Sequence, residues 1–447
     1  MSFSLTTVGE YATIQGGYAY KSQDFQLNGQ WPVLKIKNIR KGYISYDDTS
    51  FVSNEIASAT KNWMTNEGDI LISMTGSGPN APESLVGRVA RVWEDERPAL
   101  INQRVGRLVL RGNKKIDPDF LFYVLSSKEC QSYLVSNSTG SANQVNISSK
   151  TIESIECLCI DFETSKAIAE ILKTLDKRIR LLIHTNKTLE LIAQALFKSW
   201  FVDFDPVHAK AMRYKSDGID AETAMLFPDS FEESILGLIP KEWNVRRIGE
   251  VVQIQGGGTP STKEPAFWQP EKYHWVTPKD LSHISAPVLL NTDRKISVQG
   301  LAKVSSGLLP INTLLMSSRA PIGYLAIAKI PTAINQGFIA ILPHSELSPV
   351  FLFLWCMQNM ESIKQKANGS TFMEISKSAF RTIPMIYPSS NVLNAFTEIT
   401  SPLFERITEN ERQAQTLATL RDILLPRLIS GRLRLSEIKV SIEDAAS

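Results

Sequence analysis

The side chains with the chemical means to act on a substrate are present but scattered. Five histidines, His184, His208, His274, His283 and His344, fall into no His-Glu-x-x-His pair. There is no Cys/His quartet at zinc spacing and no Gly-x-Ser-x-Gly nucleophile turn. Glycine is nowhere followed by lysine, so the phosphate-cradling loop is missing, as is the Asn-Pro-Pro-aromatic run that holds a target adenine amine in amino-methyltransferases. Pro118-Asp119 opens a metal-nuclease pattern, but no Glu-x-Lys follows at a workable distance, and a helix start at 117–119 is the plainer reading. The expectation is a chain without a catalytic centre, metal or cofactor of its own.

What the sequence does carry in quantity is the chemistry that reads nucleic acid. Asn and Gln pair bidentately with adenine in the major groove, Arg and Lys with guanine, and Ser or Thr adds single bonds. In the first half such groups are Lys35, Lys37, Asn38, Arg40, Lys41 and Tyr43, then Thr75 and Ser77, Arg104, and Asn143 within the stretch 138–146. In the second half they are Thr277, Lys279 and Asp280, then Ser318 and Arg319, and Ser370. Two glycine turns accompany them: Gly16-Gly17 with Tyr20 close behind, and Gly256-Gly257-Gly258 followed by Thr259. Their N–H groups can bind a phosphate; a sharp turn without a ligand accounts for them equally well. Asn102-Gln103 and Asn335-Gln336 are either base readers or buried amides stitching strands to loops, and their presence in both halves favours the second.

These loops occupy matching places because one unit is written twice. Val8-Gly9-Glu10 is answered by Ile248-Gly249-Glu250, Ile14-Gln15-Gly16-Gly17 by Ile254-Gln255-Gly256-Gly257, and Ile101-Asn102-Gln103 by Ile334-Asn335-Gln336. Val86-Gly87 matches Ile322-Gly323 and Ile147-Ser148 matches Ile375-Ser376, so the offset drifts from 240 (248 − 8) to 228 (375 − 147) while the order holds. Within each copy, short apolar runs such as 70–74, 105–110, 314–316 and 338–342 read as strands of a curved sheet. The stretches 120–134 and 349–365 carry helical spacing. Each copy is therefore an α+β domain.

Each copy ends in a long helix that must position it. Ile168, Leu175, Leu182, Leu189 and Leu196 recur every seven residues, with Leu172, Ile179, Asn186, Ala193 and Trp200 four behind, which is the coiled-coil period. Adding 228 gives Phe396, Leu403, Asn410, Leu417 and Leu424 with Thr400, Ile407, Ala414, Arg421 and Leu428. Either the two helices pair, or each packs on its own domain. If they pair antiparallel about a pseudo-twofold near residue 184, residue x faces 596 − x, and Asn186 meets Asn410 in a seam that also holds Leu182, Leu189, Ile407 and Leu417. Exposure of both asparagines is the other reading.

The boundaries that follow are 1–162 for a first domain, 163–204 for a central helix, 205–239 for a connector, 240–391 for a second domain, 392–432 for a distal helix and 433–447 for a tail. In 447 residues the hydrophobic content of 43% and charged content of 21% are those of a soluble globular protein, and no window approaches a membrane span. The formal charge of +2 hides an imbalance: Lys and Arg number 16 against 17 acids over 1–162, and 15 against 9 over 240–391. The second copy thus holds the positive excess, which fits a nucleic-acid partner and an ordinary solvated surface about equally. The four cysteines include Cys157 and Cys159, which would share one face of a strand; buried free thiols in a reducing cytoplasm are expected.

At several stretches the chain resembles the DNA-specificity (S) subunits of type I restriction-modification systems. Leu238-Ile239-Pro240-Lys241-Glu242-Trp243 looks like the entry to a second target recognition domain. Trp275-Val276-Thr277-Pro278-Lys279-Asp280-Leu281, Ala320-Pro321-Ile322-Gly323 and Ile334-Asn335-Gln336-Gly337-Phe338 look like core stretches of that domain. The runs 195–206 and 424–431 look like ends of the two helical regions. The resemblance implies two homologous target recognition domains separated by a long antiparallel two-helix coiled coil, each domain reading one half of a bipartite, asymmetric site on double-stranded DNA. It implies partners too: methylation subunits, two of them, docked on the helical regions, and restriction subunits joining through that assembly. S-adenosylmethionine, ATP and magnesium would belong to those partners, and this chain would carry no catalytic residue. A coiled-coil interaction scaffold without DNA is the rival reading.

Overall fold

The computed structural model describes residues 4–78, 85–112, 115–141, 144–214, 218–369 and 373–433. Both long helices form where the heptads place them, at Phe162–Phe201 and Ser390–Ile429, against expected spans of 163–204 and 392–432. The Asp161 carboxylate opens the first by accepting from the Thr164 N–H at 2.8 Å. The helix ends before Phe204, whose φ of 54° is left-handed, and Pro206 lies in the first turn of the next, short helix. Gly431, with φ 69°, follows the second helix, and its N–H returns to the Leu428 carbonyl at 3.1 Å.

The chain forms two compact units, 1–178 with 417–447, and 179–416. Each unit therefore contains one domain and a stretch of both long helices, so the helices are not separate segments as the sequence boundaries had them. In unit 2, Asn410 Nδ2 donates to Asn186 Oδ1 at 2.9 Å and the rings of Trp200 and Phe396 lie 5.7 Å apart. Both pairs sum to 596 (186 + 410, 200 + 396), the antiparallel register expected. In unit 1, Arg421 Nη1 reaches Asp176 Oδ1 at 2.7 Å, a sum of 597. Leu182, Asn186, Ile407 and Asn410 are at most 3% exposed, while Leu189 and Leu417 are half-buried. The Asn186 Nδ2 is buried with no hydrogen-bond partner among the described residues, a cost the seam carries for this pair.

The domain of unit 1 is built on an antiparallel sheet ordered Ala12–Gly16, Val105–Leu110, Ile70–Ser73, Val89–Arg91. That of unit 2 repeats it as Ile254–Gly256, Phe338–Ile341, Leu314–Ser317, Leu325–Ala328, and adds Val288–Leu289 in parallel at the edge. Each has a smaller three-stranded sheet, centred on Trp31–Leu34 in one and Tyr273–Val276 in the other. The helical stretches expected whole are broken: Ser127 caps Lys128–Ser136 after Pro118–Leu125, and Asn359 separates Pro349–Gln358 from Met360–Gln365.

The connector is more than a linker. It holds helices Asp205–Ala211 and Ala221–Met225 and the hairpin Phe231–Ser234 with Gly237–Pro240. Val207, Phe227 and Ile239 are buried in the same core as Trp200 and Trp243. Burial pushes the Cys130 and Cys157 thiols up to about 12. Cys159, expected to be buried beside Cys157, is exposed, because the strand Glu156–Leu158 ends before it.

Candidate nucleic-acid interface

The glycine turns exist for the chain itself. A Cβ on Gly17 would sit 2.2 Å from the Asn102 carbonyl oxygen, and one on Gly257 would sit 1.9 Å from that of Ile334. Only glycine permits this crossing of backbones. The N–H groups of Gly17 and Gly258 donate to the carbonyls of Val105 and Ile334, both at 3.0 Å. A phosphate cradle at these donors is thereby excluded, and Gly16 simply closes its strand.

Asn38 and Asp280 are corrected in the same way. They occupy one position in the repeat, 1% and 7% exposed, and each closes a short helical turn by accepting from a backbone N–H, of Lys35 at 2.9 Å and of Thr277 at 2.7 Å. The Asn38 amide also donates to the Ser45 carbonyl at 2.9 Å, and Asp280 takes the Asp293 N–H at 2.7 Å. These side chains staple loops and have no free edge for a base. Thr277 caps its helix and hands its hydroxyl to Asp280 at 2.6 Å. Tyr20 is buried with its hydroxyl on Thr60 at 3.0 Å. Ser318 is 3% exposed, just past the end of the strand Leu314–Ser317.

What remains outward is basic and amide-rich. Lys37, Lys41, Arg104, Thr259 and Lys279 are exposed, and Arg40 and Arg319 half-buried. Lys35 lies over the Phe25 ring, its Nζ 3.7 Å from the centroid and 3.0 Å from Ser50 Oγ. Burial, then the charge of Lys37, holds its ammonium below the usual value. Asn102 and Asn335 are half-buried, but Gln103 and Gln336 are exposed, so the stitching role fits only the asparagines. Asn143 and Ser370 lie outside the described residues.

In unit 1 several of these groups share a cleft of about 320 Å³ lined by Ile36, Lys37, Arg40, Thr75, Gly76, Ser77, Arg88 and Gln144. Thr75 and Ser77 form its buried wall. Sequence reasoning missed Arg88. The residue is 8% exposed, and its guanidinium donates to the carbonyls of Ile39 at 2.9 Å and Ile36 at 2.7 Å, tying the loop of Lys37 to the main sheet. Burial, then Arg40 nearby, lowers its pKa from the ordinary value. A charged residue inside the apolar run 86–90 was the available signal. Among the described residues the cleft offers cations and hydroxyls and no lining carboxylate, which suits the edge and backbone of a nucleic acid.

Comparison with known proteins bears on both units. The model of the type I restriction modification DNA specificity domain matches twice, over residues 2–191 and 240–417. The chain belongs to this specificity family. It is 30% identical over 361 residues to the Type I restriction enzyme HindI specificity subunit of Haemophilus influenzae, covering 71% of this chain and 77% of that one. It is 35% identical over 185 residues to the MjaIX specificity subunit of Methanocaldococcus jannaschii, covering 41% of this chain and 42% of the relative. The crystal structure of a type I restriction-modification S subunit from M. genitalium shares the fold, with a TM-score of 0.56 at 16% identity over 96% of both chains. The two family matches coincide with the two copies read from the sequence. Among the described residues no helix of this specificity-family chain is long and apolar enough to cross a membrane.

Proposed function

We propose that this chain is the non-catalytic, sequence-reading subunit of a cytoplasmic type I restriction-modification complex. Each unit reads one half of a bipartite, asymmetric site on double-stranded DNA, and the paired helices fix the number of base pairs between the halves. Two methylation subunits dock on the helical regions and bring S-adenosylmethionine; restriction subunits join through them and bring ATP and magnesium. The observation that carries this reading is the duplication itself: one fold occurs twice in one chain, and its equivalent loops present different polar side chains. A single reader duplicated for stability would keep those loops alike, whereas two readers of unlike half-sites need them to differ. Contacts to the phosphates make binding steeply salt-dependent, and base contacts contribute roughly 1–3 kcal/mol each.

The test is DNA protection by the chain purified with its methylation subunits, on duplexes selected from a random pool. Two short protected blocks separated by a fixed gap are expected. One contiguous block, or protection without sequence preference, would sink the proposal. Methylome sequencing of a host with and without the chain then gives the sequence of the site.

A further inference from the structure

We propose that one arginine in each unit, Arg104 in the first and Arg319 in the second, selects a guanine in its half of the target; this rests on the DNA-reading function above. Three backbone positions define the place. In unit 1 the Met74 N–H donates to the Arg104 carbonyl at 2.9 Å, and Thr75 is the antiparallel partner of Asn146. In unit 2 the Ser318 N–H donates to the Gly337 carbonyl at 2.8 Å, and Arg319 is the antiparallel partner of Glu374. The repeat lays Thr75 on Arg319, Arg104 on Gly337 and Asn146 on Glu374 (75 + 244, 104 + 233, 146 + 228). The backbone is the same and the side chains have been exchanged.

Each place holds one arginine facing an oxygen acceptor on the third position, with the arginine entering from different strands. In unit 1 it follows the 102–103 loop. In unit 2 it follows the strand Leu314–Ser317, and the position that carried arginine in the first copy is glycine. A Cβ built on Gly337 would lie 3.5 Å from Arg319 Nε. The guanidinium of unit 2 thus lies over the spot from which the arginine side chain of unit 1 departs.

The chemistry is that of a held fork. Arg104 is exposed, and its Nη1 donates to Asn146 Oδ1 at 2.9 Å and Thr75 Oγ1 at 3.3 Å. Its Nε and Nη2 make no further hydrogen bond among the described residues. Two parallel N–H groups on that edge match O6 and N7 of guanine. Arg319 has 36% of its side chain exposed, and its Nη1 lies 3.6 Å from Glu374 Oε2. That pairing orients the group at a distance that leaves its donors available. Holding the fork before DNA arrives reduces the ordering cost of binding, so Asn146 and Glu374 are positioning residues.

The experiment uses the full chain with its methylation subunits and a random-sequence duplex library, comparing wild type, Arg104→Gln and Arg319→Gln. Wild type should recover two sequence blocks. Each variant should lose guanine preference at one position of one block, by roughly 5- to 150-fold, with the other block unchanged as an internal control of folding. Glu374→Gln should blur the position that Arg319→Gln erases, without touching the first block. An unchanged selected sequence, equal weakening on all sequences, loss of both blocks together, or a position selecting a base other than guanine would each overturn the assignment. Wild type selecting no sequence at all would instead remove the DNA-reading function itself, and the assignment with it.

Discussion

The two units join domain to helix differently. In unit 1 an apolar contact through Ile168, Leu172 and Leu428 is supplemented by a polar network: Tyr123 donates to Asp176 at 2.8 Å, Arg421 pairs with the other oxygen of Asp176, and Asp119 is held between Arg91 and Lys173. In unit 2 the joint is aromatic. Phe197, Phe201, Phe351 and Phe396 pack with centroids 5.0 to 6.1 Å apart, and Phe353 meets Phe404 at 5.7 Å. Phe404 is the repeat equivalent of Asp176 (176 + 228). One fold thus accepts either solution at one place: the first depends on charge and geometry, the second on volume.

The largest effect should come from the aromatic side. Phe396 is fully buried against four rings, and Phe396→Ala should cost about 3–5 kcal/mol in denaturant unfolding. A loss below about 1 kcal/mol would mean that the rings repack and the contrast is overstated.

Next comes Asp119→Ala, which leaves the guanidinium of Arg91 buried at 7% side-chain exposure without its carboxylate. A loss of about 2–4 kcal/mol is expected, somewhat under the full cost of a broken buried pair because Lys173 is partly solvated. Asp176→Ala should cost less, about 1–3 kcal/mol, since Arg421 is 29% exposed and keeps Asp422. Both should leave unit 2 intact in hydrogen exchange.

Acid sharpens the same contrast. Burial alone would raise the pKa of Asp119, but its bonds to Arg91 and Lys173 outweigh burial and hold it below the ordinary 3.8. A carboxylate lowered in the folded state stabilises above its unfolded pKa and loses that contribution as pH falls through the folded value. Burial and the Asp119 charge push Asp117 the other way, which offsets part of the effect. Below about pH 4, exchange should therefore rise across helix 162–178 before it rises across the aromatic joint. Simultaneous opening would break the comparison.

The smallest effect on stability concerns the seam. Asn410→Leu alone should cost about 1–3 kcal/mol by stranding the Asn186 amide, while the double leucine variant should be near neutral. The double variant tests whether the amide pair fixes register. Its protected DNA blocks should lose their single spacing, and retention of one spacing would assign register to the rest of the seam.

The sequence made the helices legible because a heptad is a statement about one face, and the Asn186–Asn410 pair followed from the symmetry of two copies. The order of strands in each main sheet was legible only as short apolar runs, since strand order depends on pairings far apart in the chain. Asn38 and Asp280 were misread because the side chains that recognise base edges are also those that close helical turns; type and spacing do not separate the two uses. Val207 and Phe227 lie in the stretch read as a connector, and only tertiary packing collects them into a core. Arg88 was hidden by the strand around it, and the exchange of Arg104 for Arg319 by the alignment itself, which sets arginine against threonine and glycine.

Gly17 and Gly257 let their turns cross the main chain of the loops at Asn102 and Ile334 at contact distance. A crossing set by backbone and by the lack of a side chain leaves the outward-facing residues nearby open to be rewritten at little structural risk. A change of target can then accumulate by point substitution a few residues away, while the scaffold beneath it goes on folding as before.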